Sequence, residues 1–210
     1  MEYYRTEFSL VAEYYDRDEA DSYITWGKGN LIAIGEFDEA AVIGKCKFAI
    51  IESERWLEAT DQPMDILLDV HSSLDPYNEL FSSAIGLFDE RVTDIIGDTM
   101  NLNLLVIDRV EISQEYRKKG HGLDLVEKII RLFHSDADLV AIKAYPLQGE
   151  CDPGERVSKD WKDKMLLDSF PKNMDRATKK LKEHYTQIGF ESLGSDGLMI
   201  RTAHLSDSSI

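Results

Sequence analysis

The chain has 210 residues, 43% of them hydrophobic, and a formal net charge of −16 at pH 7. That size suits one globular domain able to bury most of its apolar surface, and a field of this sign repels nucleic-acid backbones and anionic lipid. No apolar run approaches the roughly 20 residues a spanning helix needs, and the opening Met1-Glu2-Tyr3-Tyr4-Arg5 is too polar for a secretory leader; a cytoplasmic protein with no membrane or nucleic-acid partner is expected.

In chain order, Phe8 to Tyr15 is rich in strand-formers and reads as the first strand. Asn30 to Phe37 and Ala41 to Ile51 are apolar runs around the turn-like Asp38-Glu39-Ala40, which predicts an antiparallel hairpin. From Trp56 to Met100 the pattern changes, with Leu80, Ala84, Leu87 and Phe88 at helical spacing and Pro63, Pro76 and Gly97 as punctuation, predicting one or two helices with loops. Asn103 to Ile112 returns to strand character, and Leu123, Val126, Ile130 and Phe133 recur at helical spacing. Leu139 to Tyr145 completes a strand-helix-strand crossover returning parallel to its partner. Gln148 to Lys172 is polar and interrupted by Pro153 and Pro171, with a short helix around Trp161 to Leu167. A last helix covers Asp175 to Gln187 and stops at Gly189, and Phe190 to Leu193 with Leu198 to Arg201 forms a closing hairpin.

The most informative segment is Arg117-Lys118-Lys119-Gly120-His121-Gly122, at a strand-to-helix junction. Gly120 and Gly122 permit close approach of backbone to a ligand, and a helix start aims unpaired N–H groups at it, which suits an anion such as a diphosphate. No Walker-type G-K-[ST] is present, and the glycines fall mid-chain instead of opening a dinucleotide-binding unit.

Ile112 to Leu123, with the pattern R-x-x-G-x-G, resembles the signature [QR]-x-x-G-x-[GA] of the GNAT superfamily of acyl-CoA-dependent N-acyltransferases, with Gln114 where a proline is usual. His184-Tyr185-Thr186-Gln187-Ile188-Gly189-Phe190 is similar to that family's aromatic-Y-x-x-x-G-F motif, and the two motifs span about half the chain, from Leu104 to Arg201. The resemblance implies an α/β GNAT fold with a mixed, splayed central sheet flanked by helices, as a single domain over residues 1–202. Insertions then fall near 56–100 and 148–172, and residues 203–210 are expected to be a flexible tail.

The resemblance further implies acetyl-CoA as acyl-donor cosubstrate, with backbone N–H groups of Lys118, Lys119, Gly120, His121, Gly122 and Leu123 on its diphosphate and Arg117 orienting the turn. Its amide-bearing arm is expected to pair with backbone near Val110 to Ile112. Tyr185 matches the tyrosine that protonates the leaving thiolate, and Glu111 is the candidate base, with a structural ion pair as its alternative. Asp108 is held in reserve, although simple alternation places it on the face opposite Glu111.

The expected activity is direct transfer of acetyl to the amine of a small molecule or peptide. A non-catalytic acyl-CoA sensor or interaction module is the alternative, and a structural protein without CoA a third; a homodimer stays open. Residues 1–100 hold a net −15 and residues 101–210 a net −1. Because the N-terminal half forms the acceptor wall in this family, a cationic acceptor is expected, although solubility alone also explains such acidity. Thr178 stands where the family often has an asparagine, and Lys179-Lys180-Leu181-Lys182 reads as a solvated face in preference to a 3′-phosphate site. Cys46 and Cys151 read as free thiols, His121 and His134 as packing or capping residues, and Asp65, Asp69 and His71 lack diagnostic metal spacing, so no metal is expected.

Overall fold

The computed structural model describes residues 3–13, 19–82, 86–149, 158–170 and 172–204. Strands β1 (Tyr3–Ala12), β2 (Ile24–Ile34), β3 (Ala40–Ile51) and β4 (Leu104–Ile112) form an antiparallel meander. β5 (Leu139–Lys143) joins β4 in parallel; β7 (Leu198–Thr202) then pairs antiparallel with β5, and the two-residue β6 (Glu191–Ser192) closes the sheet in the order β1-β2-β3-β4-β5-β7-β6. The fold is thus mixed α/β, with a seven-stranded sheet flanked by helices.

The period-2 alternation of β3 divides the interior: Cys46 and Phe48 point to one face, Ala49 and Ile51 to the other. On the first face lies α4 (His121–Phe133), the crossover that a parallel pair requires, burying Leu125, Val126, Ile129 and Ile130 against Phe48, Ile107 and Ile142. Leu181 and Tyr185 of α6 (Met174–Thr186) pack on the same face. The opposite face is covered by α1 (Ser53–Thr60), α2 (Met64–Leu68) and α3 (Glu90–Ile96), whose Trp56, Leu67, Leu68 and Val92 cluster with Ala49, Val106 and Ala141.

Several boundaries differ from the sequence expectation. β1 begins at Tyr3 because it pairs residue by residue with β2 from Tyr3 opposite Ile34; Tyr14 and Tyr15, like Ala84, Cys151, Pro153, Pro171 and residues 205–210, lie outside the described residues. Leu80, Leu87 and Phe88 do not share a helix. Pro76 opens a 3-10 turn over Asp75–Leu80, and Phe81 bridges to Phe88 with ring centroids 5.1 Å apart. The next helix starts only where the Asp89 side chain accepts from the Arg91 N–H, an N-cap.

β4 departs from regular alternation in the middle. Phe48 faces Ile107 and Lys47 faces Arg109, so Asp108 is an extra residue, a β-bulge. The bulge resets the alternation: Val110 and Ile112 stay on the α4 face, whereas Arg109 and Glu111 share the other face with Lys45 and Lys47. Asp108 meets Lys47 there. The expected opposition of Asp108 and Glu111 is therefore corrected.

The sheet also parts at this point. β5 pairs with β4 only from Leu104 opposite Leu139 to Ile107 opposite Ile142. Past it, β4 continues to Ile112 beside β3 alone, while Lys143 and Ala144 turn to Leu198 and Gly197. A fork opens between β4 and β5, with the bulge at its apex.

Candidate functional site

The turn after β4 is built from left-handed backbone: φ is +62° at Lys118 and +89° at Gly120. Gly120 N-caps α4, its carbonyl accepting from Leu123 N–H at 2.9 Å and Asp124 N–H at 3.1 Å. The N–H groups ahead of these first intrahelical bonds point out of the turn, at the positive end of the helix. A Cβ at Gly122 would lie 3.7 Å from Ile112 Cγ1 and 3.9 Å from His184 Nε2, which sets the turn between the end of β4 and α6.

Arg117 faces inward. Its Nε donates to the Ile112 carbonyl at 2.9 Å, a terminal nitrogen donates to the Met165 carbonyl, and the guanidinium lies 4.3 Å from the Phe170 ring centroid. Lys119 covers Tyr116, with Nζ 4.6 Å from the ring centroid. His121 packs against Tyr4 and Tyr116, and its buried Nε2 has no hydrogen-bond partner among the described residues.

Tyr185 is half-buried, its ring 6.0 Å from that of Phe190. Burial pushes its phenol up to about 12, so it stays protonated through neutral pH. Tyr77, delivered by the 3-10 turn from the first insertion, is buried and its phenol is raised, by burial first and the charge of Asp108 second, with the Lys143 backbone pulling the other way. Tyr77 therefore sits beside the fork, near both strands.

Glu111 is only 6% exposed and both carboxylate oxygens are engaged: Oε1 accepts from Arg109 Nε and Oε2 from Trp161 Nε1, each at 2.6 Å. Trp161 belongs to α5 (Lys159–Met165), whose N-terminus is capped by the Ser158 side chain. Helix α5 thus clamps the end of β4 at two points, Trp161 on Glu111 and Met165 on Arg117. Asp108 is less constrained. Oδ2 meets Lys47 Nζ at 2.9 Å, and Oδ1 has no partner among the described residues.

Around these carboxylates lie residues that sequence reading missed. Lys47 Nζ is 4.0 Å from the Trp26 ring centroid and Lys45 Nζ 4.5 Å from that of Trp161. Lys28 is exposed directly opposite Lys47. Three of the seven Lys and Arg in residues 1–100 therefore collect on the sheet face that carries Asp108 and Glu111, contrary to a uniformly acidic acceptor wall. The period-2 spacing of Trp26 with Lys28 and of Lys45 with Lys47 was the available signal; their meeting depends on strand register.

The remaining candidates have local partners. His71 Nε2 lies 2.9 Å from Asp21 Oδ1, and Asp69 Oδ1 accepts from Asn78 Nδ2 at 2.7 Å. His134 Nδ1 is 3.2 Å from the Arg131 carbonyl, and Lys182 Nζ donates to the Gly194 and Ser195 carbonyls.

No protein-family model matches the chain, and no curated protein matches it. Among solved structures, a chain from the crystal structure of a KacTA-DNA complex covers 95% of this chain and 94% of its own length, at 10% identity and a TM-score of 0.40. A likeness at that level assigns no family. No helix among the described residues is long and apolar enough to cross a membrane.

Proposed function

We propose that this protein is a GNAT-type N-acetyltransferase using acetyl-CoA. The observation that supports it best is the fork: β4 is unpaired toward β5 from the Asp108 bulge to Ile112, with the Arg117 to Gly122 turn at its open end and Tyr185 of α6 packed on the same face as that turn. The residues present fit the donor. A backbone edge is available for an amide-bearing arm at Val110 and Ile112, and the N–H groups from Lys118 to Gly122 suit a diphosphate, whereas the Leu123 N–H is already donated to the Gly120 carbonyl.

Acetyl-CoA supplies an activated acyl group, so no covalent enzyme nucleophile is needed. In this reading Asp108 Oδ1 takes the proton of the acceptor ammonium, and the freed amine attacks the acyl carbon. As the carbon–sulfur bond breaks, the protonated Tyr185 gives its O–H proton to the departing sulfur, and the proton shed by the new amide nitrogen restores the phenol by way of solvent. Glu111, whose oxygens are both engaged, acts as a positioning residue that fixes Arg109 and Trp161. Removing a proton acceptor at Asp108 and a donor at Tyr185 should each cost about a hundredfold or more in kcat, within the usual range of general acid-base terms.

Thiol release from acetyl-CoA across an amine panel tests this, with Tyr185→Phe, Asp108→Asn and Glu111→Gln measured beside wild type and thermal stabilisation by CoA as the binding control. The expected result is turnover by wild type, losses of that size for the first two variants and a smaller loss for the third, with CoA stabilisation kept in all. Tight CoA binding without turnover for any amine would leave a non-catalytic sensor, and no CoA stabilisation would defeat the donor site itself.

A further inference from the structure

We infer that the acceptor is a small amine that also bears an anionic group, a carboxylate or a phosphate, held by Lys28 and Lys45. The inference rests on the acetyl-transfer reading above and names the substrate class of that site. The sheet face away from α4, where the bulge leaves Asp108 and Glu111, is crossed by two rungs of paired residues: Lys28, Lys47 and Arg109 in one, and Asn30, Lys45 and Glu111 in the next. Neighbouring positions on paired strands lie about 5 Å apart and alternate positions along one strand about 7 Å. Lys28, Asn30, Lys45 and Lys47 therefore outline a patch the size of one anionic group, a step away from Asp108.

The charges on this patch do not cancel. Arg109 is committed to Glu111 and Lys47 to Asp108. Glu7, opposite Asn30 at the far end of the second rung, is paired with Arg5 at 2.9 Å, and Asp21, beyond Trp26, with His71. That leaves Lys28 and Lys45 with no carboxylate partner among the described residues, the second resting on the Trp161 ring. In a chain of net charge −16, two such cations on the sheet face that carries Asp108, with Lys47 between Lys28 and that carboxylate, are a local reversal of sign. The reversal covers one anionic group only. A polyanion laid across it would extend onto the acidic remainder of the surface and be repelled.

The geometry also gives the order of the two groups on the acceptor. The anion sits on β2 and β3 and the amine points to the fork, so the ammonium meets Asp108 and the carboxylate or phosphate meets the lysines. A polyamine would place a second cation on Lys28 and Lys45.

Direct binding by titration calorimetry and acetyl transfer should be measured with matched pairs: 4-aminobutyrate against its methyl ester, and O-phosphoethanolamine against ethanolamine, with spermidine as the cationic control. The anionic member of at least one pair is expected to be favoured by about tenfold or more, the usual order for an anion meeting two fixed cations. Which pair shows it distinguishes carboxylate from phosphate. The double variant K28Q/K45Q should lose the preference and K28R/K45R should keep it. Equal use of both members in both pairs, preference for spermidine, or a preference that survives K28Q/K45Q would overturn the inference. Because binding is read without CoA, this outcome is separate from failure of the donor site, which CoA stabilisation reports.

Discussion

Gly120 and Gly122 occupy neighbouring places in one turn yet meet different demands. Gly120 holds φ at +89°, where a side chain strains the backbone, whereas Gly122 has ordinary helical geometry with a 3.7 Å clearance for a Cβ. Gly120→Ala should therefore destabilise by about 1 kcal/mol or more, and Gly122→Ala by no more than about 0.5 kcal/mol, as measured by urea unfolding. The R-x-x-G-x-G spacing was legible in the sequence because its cause is local: one left-handed residue and one helix start. Asp108 was not legible in the same way. Its face depends on an extra residue in β4 that shows only when β3 is laid alongside, so period-2 alternation gave the wrong side.

Among the elements, α5 has the largest effect for its length. It reaches β4 and the turn that follows through two unlike contacts, an indole N–H on the buried Glu111 carboxylate and a backbone carbonyl on the Arg117 guanidinium. Trp161→Phe keeps the aromatic packing but leaves Glu111 Oε2 buried without its donor, a loss of about 1–3 kcal/mol. Urea unfolding should show that loss, and a cost within about 0.5 kcal/mol would mean that the Trp161 ring stabilises by packing alone and its N–H adds nothing. A short helix around Trp161 was readable from sequence, but its docking was not, since nothing local ties residue 161 to residue 111. The segment from Ser53 to Ile96 shows a complementary difficulty. Apolar residues at helical spacing also arise when a 3-10 turn is followed by a bridge, and Pro76 favours that arrangement.

For the molecule as a whole, the core under α4 contains a thiol whose chemistry reports folding. Burial pushes Cys46 up to about 12 from an ordinary value near 9, with the Gly29 backbone opposing the shift. Below pH 9 the thiol is neutral folded and unfolded, and contributes nothing. As pH rises from about 9 to 12 the unfolded thiol ionises first, so stability falls. Tyr185 adds to the fall above its ordinary value near 10. Unfolding free energy measured from pH 8 to 11 should decline, with a shallower slope for Cys46→Ala. Peptide mapping after iodoacetamide should find Cys46 unlabelled in the native protein and labelled in urea. At this scale the strand-helix-strand order that predicts the parallel β4–β5 pair was correctly read, because a parallel pair needs a long connection and α4 is the amphipathic one available.

Strand edges ordinarily lie at the margins of a sheet, where their unsatisfied amides invite whole foreign strands and must be disguised. The fork moves such an edge inward, to a crevice flanked by β5 on one side and capped by α5 at its end. An intruding protein strand would bring side chains on both faces and a neighbouring backbone with it, all of which would have to fit between β4 and β5. A slender, unbranched chain of amides has none of these. A recess that shields the molecule from unwanted self-association would, on the acetyl-transfer reading, favour a slender guest over a whole strand before any charge is read.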